Sequence, residues 1–111
     1  MRARDLCLAV LLTACGAPAM PGSIGVVAHR DGTGRVVIVE VPAGLGGARA
    51  GLEVGDEIVA IDGVEVRTLS KDDFQRAVRG PVGSRVTVDV RRDGLRHRIV
   101  VERQALREAA R

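Results

Sequence analysis

The pattern of apolar and polar positions beyond residue 22 consists of short apolar runs separated by turn-forming residues, and it predicts a mainly β domain. Nearly continuous Val and Ile over 35–41 and an apolar run over 58–61 have the length of buried strands, and we expect the first to be buried on both faces. Apolar and polar residues alternate strictly over 86–91, and a second strand-like run follows over 97–102. Together they predict a half-buried hairpin.

Glycines and aspartates mark where these runs turn. Gly51 stands where a short helix over 47–50 needs a left-handed terminating residue. Asp62-Gly63 predicts a type I′ hairpin turn, since both of its central residues need positive φ. We expect residues 64–67 to form the half-exposed return strand of that hairpin. Asp93-Gly94 predicts a second hairpin turn.

One longer helix is predicted after Ser70, which has the features of an N-cap residue. Asp72 and Asp73 follow in the first turn, where acidic groups favour the positive end of the helix dipole. Apolar residues then recur at helical spacing and give one buried stripe. Gly80-Pro81 predicts the end of this helix as a glycine stop followed by a proline.

Composition and charge indicate what the core is made of and which partners are excluded. The 111-residue chain is 46% hydrophobic but has one Phe, no Trp and no Tyr, so its core is built from aliphatic residues. The net charge is +3, and Lys71 is the only lysine among 17 basic residues. Fourteen acidic residues are interspersed with them, which is typical of a mixed solvated surface. With so few aromatic residues to stack on bases, we expect no nucleic-acid partner.

The N-terminus has the pattern of a targeting segment. Residues 1–14 are interpreted as a signal peptide, with two arginines before a short apolar run that is far shorter than the roughly 20 residues of a membrane span. Leu12-Thr13-Ala14-Cys15 resembles a lipobox, which implies a lipidated Cys15, a short tether over 15–22 and an outer-membrane lipoprotein facing the periplasm. Two alternatives stay open: an ordinary secretory signal, giving a periplasmic or secreted protein, and a misassigned start codon in a cytoplasmic one.

The sequence suggests no catalytic site and no metal site. Both cysteines, Cys7 and Cys15, fall in the leader region, so the remaining chain has no thiol for a disulfide or a metal. The two histidines, His29 and His97, fall on different predicted strands without a third ligand. We therefore expect no metal, no cofactor, no small-molecule substrate and no enzymatic activity.

Three segments together resemble the PDZ domains of the bacterial protease-associated type, as in trypsin-like stress proteases and carboxyl-terminal processing proteases. They are Ile24-Gly25-Val26, the run ARAGLEVGDEIVAIDGVEV over Ala48–Val66, and LSKDDFQRAVRGPVGSRVTVDVRRDG over 69–94. The resemblance implies an α+β, mainly β fold: a partly open barrel of five to six strands capped by one short and one longer helix. It assigns the domain to 23–103 and leaves 104–111 as a weakly helical tail.

The resemblance also implies where a ligand would bind. Backbone N–H groups of Ile24, Gly25 and Val26 would hold a peptide carboxylate, and a ligand strand would add to the edge over 26–29. The peptide groove would be lined by Ala28, Lys71, Gln75 and Val78. Lys71 would favour an acidic or carbonyl-bearing ligand residue.

These expectations describe a non-catalytic module of the bacterial cell envelope that binds C-terminal or extended peptide segments by strand addition. Its partners would be protein or peptide C-termini, together with the membrane through lipidated Cys15. Two alternatives remain. The chain would otherwise be an adaptor in a secretion or protease complex that docks through a surface other than the groove, or a regulatory fragment of a PDZ-containing protease.

Overall fold

The computed structural model describes residues 21–105, and these fold into two antiparallel sheets with two short helices. The strands are β1 (Pro21–Ser23), β2 (Val27–Arg30), β3 (Val36–Glu40), β4 (Glu57–Ile61), β5 (Val64–Glu65), β6 (Gly80–Pro81), β7 (Arg85–Arg92), β8 (Leu95–Glu102) and β9 (Gln104–Ala105). The helices are α1 (Gly46–Ala50) and α2 (Lys71–Val78), and a 3-10 turn covers Val66–Thr68.

The larger sheet has the strand order β2-β3-β4-β7-β8, with β5 paired to β4. The smaller sheet has the order β6-β1-β9. The core lies inside this framework and consists of aliphatic side chains, which confirms the expectation from composition. Its most buried members are Ile38, Ile58, Ile61, Val66, Val86, Val88, Val90 and Val101. The mainly β architecture predicted from the sequence is therefore confirmed.

The local predictions at several turns and caps are confirmed. Gly51 has φ +96° and closes α1, with its N–H donated to the Ala48 carbonyl at 3.2 Å. Asp62 and Gly63 both have positive φ, at 48° and 84°, as do Asp93 and Gly94 at 53° and 80°. The Ser70 hydroxyl accepts the Asp73 N–H at 3.0 Å and caps α2. Each of these features depends on residues that are neighbours in sequence.

Two strand predictions were wrong, one about the burial of β3 and one about where β5 ends. In β3, Val36 and Ile38 are buried but Val39 is 50% exposed, so β3 has one buried face; the strand buried on both faces is β4. The predicted return strand over 64–67 ends after Glu65, because Val66 turns inward to become 1% exposed.

The predicted glycine stop at Gly80 was also wrong. Helix α2 ends at Val78, and Arg79, with φ −92° and ψ 153°, leads the chain into an extended conformation. Gly80 and Pro81 then pair with β1 as strand β6. Gly80 therefore serves a strand contact and is absent from the glycines with positive φ.

The described fold extends beyond the predicted domain margins of 23 and 103. Gly22, predicted as tether, pairs with both Gly80 and Ala105. Residues 104–105, predicted as the start of a weakly helical tail, form β9, and Ala105 is buried. The predicted signal segment 1–14 and Cys15 lie outside the described residues. Within 21–105, no helix has both the length and the hydrophobicity to cross a membrane.

Candidate peptide-binding groove

A groove of about 540 Å³ runs between β2 and α2. In the part of the chain that the structure describes, β2 pairs only with β3, so its other edge faces the groove. The lining residues come from β2 and the loop before it, from α2, and from the sheet beneath: Ser23, Ile24, Val26, Val27, Ala28, His29, Arg30, Val36, Ile58, Lys71, Phe74, Gln75, Val78 and Arg79. An open strand edge opposite a helix is the geometry that accepts an added peptide strand.

Six of the seven predicted peptide-binding residues meet in this groove. Those on the β2 side are Ile24, Val26 and Ala28, and those on α2 are Lys71, Gln75 and Val78. Gly25, the seventh, lies in the loop between β1 and β2 but does not line the cavity.

The apolar end of the groove lies where the loop 24–26 approaches the last turn of α2. Ile24 is 2% exposed and Val78 is 6% exposed, and both also belong to the hydrophobic core. Phe74 and Val26 pack against the same core from the groove side. A pocket with such walls favours a small apolar side chain, because burial of apolar surface is favourable.

The backbone of the loop 24–26 is shaped by Gly25, which has φ +70°. A Cβ atom there would lie 2.6 Å from the Cβ of Leu45, so both the conformation and the packing require glycine. Apart from strand pairing, no backbone hydrogen bond within residues 21–105 uses the N–H groups of Ile24, Gly25 or Val26 as donors. Adjacent N–H groups around a left-handed residue form a concavity suited to an anion.

Helix α1 supports this loop from behind. A Cβ atom on Gly47 would overlap Val26 Cγ1 and approach the Ile24 carbonyl oxygen to 2.9 Å, so the absence of a side chain lets helix and loop touch. Gly46 makes the same close approach to the Glu102 carbonyl of β8. The loop is thereby packed against a fixed element, which keeps its N–H groups in place.

Arg30 closes the opposite end of the groove. Its guanidinium donates to the Leu69 carbonyl at 3.2 Å and to the Gly34 carbonyl at 3.4 Å. The first bond joins the end of β2 to the segment that enters α2, so it spans the width of the groove. Lys71, the first residue of α2, lines the same cavity.

Arg103 fixes the last turn of α2 from below, a role that no local sequence pattern indicates. It is 8% exposed, and its guanidinium donates to the carbonyls of Val78 and Ala77 at 3.0 Å each. The same group donates to Ser84 Oγ at 3.0 Å and to the Arg85 carbonyl at 3.4 Å. A cation at the negative end of the helix dipole is favourable, so Arg103 holds one wall of the groove.

Three apolar lining residues were not predicted as site residues: Phe74 of α2, and Val36 and Ile58 of the sheet beneath. Phe74 could have been found from its spacing, because it lies three residues after Lys71 and four before Val78, on one helix face. Val36 and Ile58 come from strands distant in sequence, and no local pattern identifies them.

Two buried carboxylates with arginine partners, Asp56 and Asp89, lie outside the residues that line the groove. Burial would raise the pKa of the Asp56 carboxyl, but hydrogen bonds from Arg92 and from the Glu53 N–H outweigh it and lower that pKa. Hydrogen bonds from Arg98 and Arg96 lower the pKa of Asp89. These pairs connect strands and loops, and we assign them to stability.

Within residues 21–105, no group of three or more His, Cys, Asp or Glu side chains is placed to hold a metal ion. The groove itself is lined by apolar, amide and cationic groups. Its geometry is suited to binding an extended chain.

Comparison with known proteins agrees with this geometry. Over 58 residues, or 52% of this chain, the sequence is 38% identical to a carboxyl-terminal-processing protease of Synechocystis sp., of which the match spans 14%. The PDZ domain of a carboxy-terminal protease from Vibrio cholerae, solved in complex with a peptide, superposes with a TM-score of 0.65 at 26% identity, covering 77% of this chain and 96% of that one.

An HtrA-type protease, AlgW, solved with a decapeptide, shares the fold with a TM-score of 0.67 at 22% identity, covering 90% of this chain and 34% of that one. The chain thus corresponds to a small part of the proteases that it resembles. The family model described as PDZ domain matches residues 37–92, half of the chain. The chain belongs to the PDZ domain family.

Proposed function

We propose that this PDZ domain is a non-catalytic module that binds C-terminal or extended peptide segments by strand addition. The observation that carries the proposal is the open edge of β2, which faces α2 across a groove that ends at the loop 24–26. A ligand strand pairs with β2 through backbone hydrogen bonds, and its last carboxylate meets the N–H groups of Ile24, Gly25 and Val26. Its terminal side chain, small and apolar, enters the pocket between Ile24 and Val78.

The relatives give this proposal independent support. The Vibrio cholerae PDZ domain, which shares the fold over 96% of its length, was solved with a peptide. AlgW was solved with a decapeptide. Strand addition also fits a groove whose lining is half aliphatic, since main-chain hydrogen bonds supply affinity while the side-chain pockets supply selectivity.

Fluorescence anisotropy with a labelled ten-residue peptide ending in valine tests the proposal. The free-acid peptide is expected to bind, and its C-terminal amide is expected to bind at least tenfold more weakly, because the amide lacks the charge that the loop holds. Gln75→Trp, which fills the groove, is expected to abolish binding. Arg76→Trp, one position along α2 and outside the groove, is the matched control and is expected to retain it.

Equal binding of acid and amide would overturn the carboxylate assignment. Unchanged binding in Gln75→Trp, with circular dichroism showing a folded domain, would overturn the groove itself. That second result would instead favour the adaptor alternative, in which the domain docks through another surface.

The chain is also proposed to act in the bacterial cell envelope, as an outer-membrane lipoprotein facing the periplasm. This rests on the lipobox-like Leu12-Thr13-Ala14-Cys15 behind a basic and then apolar leader. Several acyl chains on Cys15 would anchor the protein firmly, since each buried methylene contributes about 0.8 kcal/mol. Radiolabelled palmitate is expected to enter the wild-type protein and not Cys15→Ser; label in that variant would refute the site.

A second function, regulation within a larger protease, is favoured by the Synechocystis relative, in which the matching segment is 14% of a protease. An immunoblot of the source cells with an antibody against this domain separates the two. A band at the size of the 111-residue chain, or of that chain without residues 1–14, supports the free module, and a band of protease size supports the regulatory part.

A further inference from the structure

The charged side chains that line the groove are all basic. Arg30, Lys71 and Arg79 line it, together with His29, and no Asp or Glu does. Within residues 21–105, none of the three cations forms an ion pair with a carboxylate, whereas six other arginines do: Arg35, Arg76, Arg91, Arg92, Arg96 and Arg98. The groove therefore carries three positive charges and no negative one among its lining residues.

Two acidic residues near the groove in sequence have partners elsewhere. Asp31 follows Arg30, but its carboxylate accepts the Thr33 N–H at 2.8 Å, the Thr33 hydroxyl at 2.6 Å and the Arg35 N–H at 3.0 Å. Asp73 of α2 pairs with Arg76 on the helix surface. Asp72, which follows Lys71 on α2, does not line the groove, and within residues 21–105 it forms no ion pair with the cations that do.

The position of Lys71 on α2 determines which residues of a bound peptide strand it would reach. Lys71 and Val78 are seven residues apart on α2, and a rise of about 1.5 Å per residue separates them by roughly 10 Å along the helix. A ligand strand advances about 3.3 Å per residue, so it covers that distance in roughly three residues. With the last ligand residue beside Val78, the Lys71 ammonium reaches residues about two to four positions upstream.

Arg30 marks the same end of the groove. It is held by the Leu69 and Gly34 carbonyls through Nη2 and Nη1, and an arginine has five N–H donors in all. Donors that remain can turn toward a carboxylate without new ordering of the side chain, which lowers the entropic cost of binding. Arg79 adds positive charge at the opposite end, next to Val78.

We propose that the groove selects acidic peptide tails: C-terminal segments that end in a small apolar residue and carry Asp or Glu two to four positions before it. This rests on the proposed function, because it names the ligand class of the same groove. The apolar pocket receives the last side chain, while Lys71 and Arg30 attract the upstream carboxylates. Selectivity comes from position as well as from total charge.

Three fluorescein-labelled ten-residue peptides that end in alanine-valine test this on the full chain. One has two glutamates directly before alanine-valine, the second has glutamines there, and the third has the two glutamates at its N-terminus. The first is expected to bind about three- to tenfold more tightly than the second, since two partly exposed charge pairs act together. The advantage is expected to shrink as salt is raised. The third peptide is expected to bind like the second.

Lys71→Gln tests the residue assignment, with Arg76→Gln as the control that removes the same charge from the same helix outside the groove. Lys71→Gln is expected to reduce the preference for the acidic tail to twofold or less, while Arg76→Gln retains it. Equal affinities for the first two peptides, or an equal loss in both variants, would overturn the inference while leaving peptide binding intact. Failure of every peptide to bind would overturn the proposed function and this inference together.

Discussion

Gly80 packs directly on the buried guanidinium of Arg103, and one added methyl group there tests how firmly that guanidinium is held. A Cβ atom on Gly80 would lie 2.9 Å from Cζ, Nε and Nη1 of Arg103. Because Gly80 is not in the left-handed region, an alanine can adopt its backbone conformation. Gly80→Ala therefore perturbs the guanidinium with little backbone strain.

The expected loss in the free energy of unfolding depends on how easily the Arg103 guanidinium can move away from the added methyl group. An exposed arginine would move aside at little cost, but Arg103 donates four hydrogen bonds, two of them to the last carbonyls of α2. Shifting it breaks some of these bonds, and overpacking of a well-packed interior costs about 1–3 kcal/mol. We expect Gly80→Ala to lower the free energy of unfolding by about 2 kcal/mol, a large share of the total for so small a domain.

A double-mutant cycle isolates the contact. Arg103→Ala removes the guanidinium and leaves buried carbonyls unpaired, and we expect it to cost about 3–5 kcal/mol, since each such group costs about 1–3 kcal/mol. In the Arg103→Ala background the methyl group of Gly80→Ala contacts no guanidinium. The substitution is then expected to leave the free energy of unfolding unchanged, or to raise it by up to about 1 kcal/mol because alanine restricts the unfolded chain. The coupling energy is then about 2–3 kcal/mol.

Urea unfolding followed by far-ultraviolet circular dichroism measures all four corners of the cycle. If Arg103→Ala is too unstable to fold, Arg103→Lys supplies a second background that retains the positive charge with a smaller head group. Equal costs of Gly80→Ala with and without the guanidinium would refute the idea that Arg103 is rigidly held at this position.

Further predictions concern the loop, the cap and the buried carboxylate. Gly25→Ala is expected to weaken peptide binding at least tenfold in the anisotropy assay, because φ +70° and the Leu45 contact both exclude a Cβ atom; unchanged affinity would contradict the loop's role. Ser70→Ala is expected to lower the unfolding free energy by about 1 kcal/mol in urea titrations, whereas Ser70→Asp restores it. The pKa of Asp56 is lower in the folded than in the unfolded protein, so the ionised carboxylate stabilises the fold. This contribution to the free energy of unfolding is complete above the unfolded pKa of about 4 and is lost as pH falls through the folded pKa. Thermal melts from pH 6 to pH 2 are expected to show a steep loss of stability that is smaller in Asp56→Asn, and parallel curves would disprove this.

Features that depend on adjacent residues could be predicted from the sequence. The turns at Asp62-Gly63 and Asp93-Gly94, the α1 stop at Gly51 and the cap at Ser70 are set by conformational preferences of a few neighbouring residues. The six predicted residues that line the groove were found through a family resemblance, which carries long-range information that a local pattern lacks.

Features set by distant contacts could not be predicted. The bridges of β1 with β6 and β9 involve two-residue strands with no apolar alternation. Arg103 has no acidic neighbour at helical or strand spacing, so its sequence context is that of a surface arginine, yet it is buried under α2. Gly80 was interpreted as a helix stop for the same reason: the atom that requires glycine there belongs to a residue 23 positions away.

The pairing of β1 with β9 has a consequence for how this domain is carried by larger proteins. Gly22 and Ala105 are register partners, so the two ends of the described fold lie about 5 Å apart. A domain whose two ends lie close together can be inserted into a surface loop of a larger protein without distorting that protein. The two residues that flank the insertion stay close to their original positions. A domain built in this way can therefore lie inside a longer chain or stand by itself without any change in its internal pairing.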